Sequence, residues 1–221
     1  MGFFSEVGSF FSGVCSSIGG VISGVASSLG RVLTGPLGGA LGIPGVLNTI
    51  NTVCKIIKEI ATFLGIGKEN EKIEEVGLKA EKAERNLEDF DNYKEYKEYL
   101  DGIELTDEEL EELNDSEKRA GYTIVGAGIY LQGLNEHYEM SIEPGTIIRL
   151  ANLGVKNPED TKIFLDNCKE KGINPDLDGL IEGKLTIKEE GKLIDTLKSS
   201  VEEMKDKDSI YSKLDKMLEE L

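Results

Sequence analysis

Two long uncharged runs near the start of the sequence restrict most strongly what this chain can form. Residues 7–30 and residues 32–54 contain no charged side chain, over 24 and 23 positions respectively. Each run is long enough to cross a hydrocarbon layer of about 30 Å as a helix. The first run is nevertheless unlike a conventional transmembrane span, because it holds six glycines and seven serines beside eleven apolar residues. A helix with so many glycines needs support from lipid or from tight packing, since each interior glycine costs about 1 kcal/mol relative to alanine.

The order of residues in the first run predicts a helix with two different faces. Apolar side chains recur at steps of three, four or seven, which places them on one stripe: Phe4, Val7, Phe11, Val14, Ile18, Val25 and Leu29. Small side chains recur at every fourth position, which places them on one side: Ser12, Ser16, Gly20, Gly24 and Ser28. This glycine-zipper-like ladder would let a second helix backbone approach closely, as in membrane helix pairs.

A turn and a second helix follow. Glycine and proline break helices, and a hinge is predicted at Gly35, Pro36, Pro44 and Gly45. From Val46 to Leu64 apolar residues again recur at steps of three and four, while Asn51, Lys55 and Lys58 fall on the opposite side. Residues 1–67 are therefore predicted to form an apolar helical hairpin that packs on a bilayer, on copies of itself or on the C-terminal half of the chain.

Charge divides the chain sharply. Residues 1–67 carry three basic and two acidic side chains, whereas residues 68–221 carry the other 22 basic and 40 acidic ones, a net charge of −18. We expect a membrane or assembly region (1–67), a charged helical linker (68–105) and an acidic all-helical domain (106–221). An acidic body disfavours nucleic acid as a partner, because phosphates are neutralised by an excess of Lys and Arg.

The predicted fold class is all-α. Residues 68–101 are rich in helix formers and predict one long charged helix that connects the hairpin to the acidic bundle. Capping boxes that begin at Thr106 and Thr186 and a Pro158 start signal predict further helices. The fifteen uncharged residues 120–134 predict a central buried helix that is too short to span a bilayer.

Little in the sequence points to catalysis. No catalytic, cofactor-binding or metal motif is complete, so no enzyme activity and no cofactor are expected. The nearest match is an EF-hand-like calcium loop that starts at Asn174, with Asp176 and Asp178 at positions three and five. Its twelfth position is Leu185 instead of the bidentate glutamate that calcium requires, and the simpler reading is an Asx-rich helix connection.

The start of the sequence and the cysteines bear on localisation. No positively charged segment precedes the apolar run, so no classical signal peptide is expected. The three cysteines are far apart and lack metal spacing, which fits synthesis in a reducing cytoplasm. We expect a protein that associates with a membrane, enters a particle or is secreted by a non-classical route.

Three functional hypotheses follow. The first is a non-enzymatic membrane-active protein, of a pore-forming or envelope-penetrating type, whose hairpin inserts or oligomerises in a bilayer. Glycine-rich starts of this kind resemble, in composition and over the first third of the chain, proteins that phages eject into a host envelope and some secreted pore-formers. The second is a structural, virion-type or homo-oligomeric assembly protein that uses the hairpin as its subunit interface. The third is an adaptor or immunity-like protein whose acidic body binds a basic protein partner.

Overall fold

The structure is a computed structural model and describes residues 51–219. Every regular element in this range is helical, which confirms the all-α fold class. The described residues belong to two compact units that divide between Gly133 and Leu134. The domain boundaries expected after residues 67 and 105 stay a prediction.

Between residue 51 and its end at Gly133, the N-terminal unit contains four helices and the larger part of a fifth. Helix α1 covers the helical residues 51–63, and it is followed by α2 (Ile73–Lys82), α3 (Tyr93–Asp101), α4 (Asp107–Glu111) and α5 (Ser116–Tyr138). Two 3-10 turns lie between these helices, at Leu87–Asp89 and at Glu112–Asn114. The boundary between the units falls within α5.

The C-terminal unit is built from five helices after the end of α5. They are α6 (Pro144–Leu153), α7 (Pro158–Lys171), α8 (Leu177–Ile181), α9 (Ile187–Glu203) and α10 (Lys207–Glu219). Helix α9 packs against α7 and α10, and α6 packs against α8 and α10. The core of this unit is apolar and fully enclosed, with Phe164 and Leu165 from α7, Leu197 and Val201 from α9 and Leu214 from α10.

The connecting segment differs from the single helix that the sequence predicts for residues 68–101. It forms two helices, α2 and α3, because capping interactions stop the chain between them. Asn86 and Asp89 cap each other reciprocally, and the side chain of Asn92 accepts a hydrogen bond of 3.0 Å from the backbone of Glu95 at the start of α3. Asn and Asp side chains compete in this way with helix continuation, and helix-forming composition did not reveal it.

Most of the predicted helix ends are confirmed. Thr106 and Thr186 form capping boxes, Asn157 caps α7 ahead of Pro158, and Gly154 ends α6 in the left-handed conformation. The sequence also predicts that Ser209 caps the last helix, and this prediction is wrong. Helix α10 begins at Lys207, because the carbonyl oxygen of Asp206 accepts hydrogen bonds from the backbone nitrogens of Ser209 and Ile210.

Helix α5 is the buried central helix that the uncharged residues 120–134 predict. Tyr122 and Tyr130 are fully enclosed. Glycines allow α2 and α5 to touch backbone to backbone, because a β-carbon on Gly126 would lie 2.0 Å from the carbonyl oxygen of Ile73, and one on Gly77 would lie 2.0 Å from that of Tyr122. The glycines in this segment predict close packing by neighbouring helices, and that prediction is confirmed at Gly126.

Candidate functional site

Most residues of the predicted membrane or assembly surface lie outside the described residues. This applies to the apolar stripe, to the small-residue ladder and to the hinge. They are Phe4, Val7, Phe11, Val14, Ile18, Val25 and Leu29; Ser12, Ser16, Gly20, Gly24 and Ser28; and Gly35, Pro36, Pro44 and Gly45. What the structure describes is the C-terminal end of the predicted hairpin, residues 51–67.

Helix α1 has the two faces that the sequence predicts. Its apolar side chains are buried except for Phe63 at its C-terminal end, with Cys54, Ile57, Ile60 and Ala61 fully enclosed. Lys55 on the opposite face is exposed and lies 3.6 Å from Glu59. The last four residues of the second uncharged run are therefore part of an amphipathic helix, and its apolar side is already covered.

Residues 64–67 attach α1 directly to α5. The turn begins with Gly65 in the left-handed conformation (φ 75°), and the backbone nitrogen of Ile66 donates to the carbonyl oxygen of Ala61. A β-carbon on Gly67 would lie 2.7 Å from the ring of Tyr130, so this backbone rests on the buried tyrosine. Residues 51–67 consequently belong to the same packed unit as α5.

A polar cleft of about 500 Å³ lies beside α1, and we call it the α1 cleft. Four basic side chains line it, together with three acidic ones and the N-terminal end of α2: Lys55, Lys58, Lys72, Arg119, Glu69, Glu71 and Glu74. Lys58 Nζ donates to the carbonyl oxygen of Glu69 over 3.1 Å, and Lys72 pairs with Glu75 at 2.8 Å. Arg119 forms no ion pair within residues 51–219. The cleft suits electrostatic contact with an anion and brings together cations from three separate parts of the sequence.

The carboxylate of Glu71, at the edge of this cleft, belongs to a buried polar network. Lys97, only 6% exposed, lies 2.9 Å from Glu71 and also bonds to Asp101, while Tyr130 donates to Glu71 over 2.5 Å. Lys68 pairs with the second oxygen of Asp101 at 2.8 Å. Burial pulls the pKa of Asp101 upward, but the hydrogen bonds from Lys68 and Lys97 outweigh it and the pKa is lowered. These charged groups are paired with one another, and the pairs hold residues 68–71 against α3 and α5.

The carboxylates of the EF-hand-like loop accept hydrogen bonds that stabilise the fold. Asp176 caps α8 by accepting a hydrogen bond of 2.7 Å from the backbone of Gly179, and Asp178 accepts one of 2.8 Å from Nε of Arg149. Helix α8 itself occupies loop positions four to eight, where a calcium loop would wrap its ion. Within residues 51–219, no three His, Cys, Asp or Glu side chains are grouped so that they could hold a metal ion.

The two cysteines in the described range are poorly suited to nucleophilic chemistry. Both are fully buried as free thiols. Burial raises the pKa of Cys54 far above its usual range and that of Cys168 to about 12. Their thiolates are therefore not available at neutral pH, and both act as small apolar residues of the core.

Comparison of the chain with protein-family models, with curated proteins and with solved structures finds no match. No helix in the described part of the chain combines the length and the apolar character needed to cross a membrane. The features that bear on function are therefore the sequence of residues 1–50 and the geometry of residues 51–219.

Proposed function

We propose that this is a non-enzymatic membrane-active protein in which residues 1–50 insert or oligomerise in a bilayer and the acidic helical part carries them. The observation that carries the proposal is the small-residue ladder from Ser12 to Ser28 inside a run of 24 uncharged residues. In lipid, close helix contact through small residues supplies the packing that glycine-rich helices lack in water.

The described residues support an assignment of bilayer contact to the preceding part of the chain. Their apolar side chains are mostly buried or half-buried, and the large exposed ones are separated in sequence: Phe63, Leu110 and Ile187. No extended apolar face is therefore available there for contact with hydrocarbon. Contact with the bilayer interior falls to residues 1–50.

The position of the α1 cleft supports an orientation. Lys55, Lys58 and Arg119 line this cleft together with Asn51, which directly follows residues 1–50 in the sequence. An anionic membrane surface attracts basic groups close to it, by about 1 kcal/mol each, and repels the net charge of −18 on residues 68–221. The protein would accordingly approach such a surface with the α1 end first.

Vesicle leakage tests the proposal in the full-length chain. Gly20→Leu with Gly24→Leu fills the ladder, whereas Gly20→Ala with Gly24→Ala keeps it small and is the matched control. We expect dye release from anionic vesicles by the wild-type protein and by the alanine variant, and a loss of release in the leucine variant.

Two outcomes would contradict this function. One is equal leakage by the leucine and alanine variants, which would show that the ladder is not a contact surface. The other is a wild-type protein that releases no dye but forms a discrete oligomer without lipid in light scattering. That result would favour the assembly hypothesis instead.

A further inference from the structure

A second cleft, within the C-terminal unit, has a charge opposite to that of the chain as a whole. It has a volume of about 340 Å³ and lies where α6, α8 and α10 meet, and we call it the α10 cleft. Its charged lining residues in the described range are all basic, although the chain has 42 acidic and only 25 basic side chains. They are Arg149, Lys213 and Lys216.

Two of these cations are free of protein partners. Lys213 and Lys216 are exposed, and neither forms an ion pair or a hydrogen bond with another residue in the range 51–219. Many other lysines in that range are paired with a carboxylate, as Lys205 is with Glu159. A spacing of three on α10 puts both ammonium groups on the same side of the helix.

Arg149 is held in place by its ion pair with Asp178. Nε of Arg149 donates to Asp178, so the guanidinium is anchored while its terminal nitrogens stay available. Nζ of Lys213 lies near Gly154, at the C-terminal end of α6, where backbone carbonyls favour a cation. The cleft therefore contains one positioned guanidinium beside two exposed ammonium groups.

The remaining lining is apolar. Leu153 is buried, and Ile181 and Met217 are half-buried beside it. Arginine and lysine side chains that converge on one point are the usual ligands of phosphate oxygens. An apolar surface next to them favours a phosphate attached to a hydrocarbon group over a free phosphate ion.

We infer that the α10 cleft binds the phosphate headgroup of an anionic lipid. Arg149, Lys213 and Lys216 hold the phosphate, and Leu153, Ile181 and Met217 contact the first apolar atoms of the lipid. The volume is at the lower end for small-molecule sites and suits a headgroup rather than whole acyl chains. This inference rests on the proposed function in one respect, because a bilayer is the source of such a ligand.

Isothermal titration calorimetry of the full-length protein with monomeric dihexanoyl phosphatidic acid tests the site. Lys213→Gln with Lys216→Gln should weaken binding at least about tenfold, the equivalent of one charge-assisted hydrogen bond. Lys188→Gln with Lys192→Gln removes the same charge from exposed lysines on α9 and should leave binding within about twofold. Met217→Gln should weaken binding of the lipid but leave that of inorganic phosphate unchanged.

Equal weakening by the two lysine pairs would overturn the site, since it would reveal only a general charge effect. Equal affinity of the wild-type protein for inorganic phosphate and for the lipid would overturn the lipid assignment. The probe is monomeric, so this result is independent of vesicle leakage. Leakage without lipid binding would contradict the lipid site in the α10 cleft and leave the proposed function standing. Lipid binding without leakage would support the site and contradict the proposed function.

Discussion

Nε of Arg149 donates a hydrogen bond of 2.8 Å to Oδ1 of Asp178. The pair joins α6 to α8 across 29 positions of sequence, and both side chains are about three-quarters enclosed. Asp178 is the fifth residue of the calcium-loop near-match, and Arg149 lines the α10 cleft. This contact thus occupies Asp178, a candidate metal ligand, and positions Arg149, a candidate phosphate ligand.

The capping role of Asp176 can be separated from a calcium-binding role. Asp176→Ala removes the cap of α8 and should lower the free energy of unfolding by about 1 kcal/mol, whereas Asp176→Asn keeps a capping oxygen and should cost less than half of that. Urea unfolding measures both. Calcium at about 1 mM, near the weak end of EF-hand affinities, should change none of the three proteins. A calcium-dependent gain in stability that Asp176→Asn abolishes would contradict the capping assignment.

We expect substitution of two glycines to have opposite effects on stability, because one lies in the close contact of α2 with α5 and the other lies outside it. Gly77→Ala places a β-carbon 2.0 Å from the carbonyl oxygen of Tyr122, and backbone atoms can move little, so we expect a loss of about 2–4 kcal/mol. Gly191→Ala, within α9, meets no atom within 4 Å and should stabilise the protein by about 0.5–1 kcal/mol. Thermal and urea unfolding of both variants provide the test, and a neutral Gly77→Ala would show that the helices are not in contact there.

The buried network around Lys97 should be far more sensitive than the surface of the same helix. Lys97→Met leaves the carboxylates of Glu71 and Asp101 without their shared cation and should cost about 3 kcal/mol. Lys94→Met, on the exposed face of α3, removes a pair with Glu98 at 4.0 Å and should cost under about 0.5 kcal/mol. Similar unfolding free energies for the two variants would contradict the enclosed network.

Asp101 should make stability depend on pH in the acid range. Its folded-state pKa is lowered, so its stabilisation is fully present above the unfolded pKa of about 3.9 and is lost as the pH falls through the folded value. The difference in unfolding free energy between the wild type and Asp101→Asn should therefore shrink below about pH 4. Asp91→Asn, at an exposed aspartate, is the control for removal of a carboxylate. A difference that stays constant between pH 5 and pH 2 would show that Asp101 is not held by its lysines.

The helix ends show which structural features can be predicted from neighbouring residues alone. Thr106, Thr186 and the Asn157–Pro158 pair act through bonds to residues no more than three positions away, so their patterns can be read directly. The same kind of signal was present at Asn86 and Asn92, where it divides the expected long helix into α2 and α3. Composition alone does not reveal it, because the surrounding residues favour a helix.

Periodicity and neighbouring residues are enough to predict the all-α class, most helix starts, the two faces of α1 and the burial of α5. Which side chains contact one another depends instead on how the helices pack. Lys97 pairs with Glu71 across 26 positions and Arg149 with Asp178 across 29 positions, and Arg149 and Lys213 line the same cleft although they are 64 positions apart. Helix packing selects such neighbours, as it does where close approach at Gly77 and Gly126 brings α2 against α5, and no local pattern records that choice.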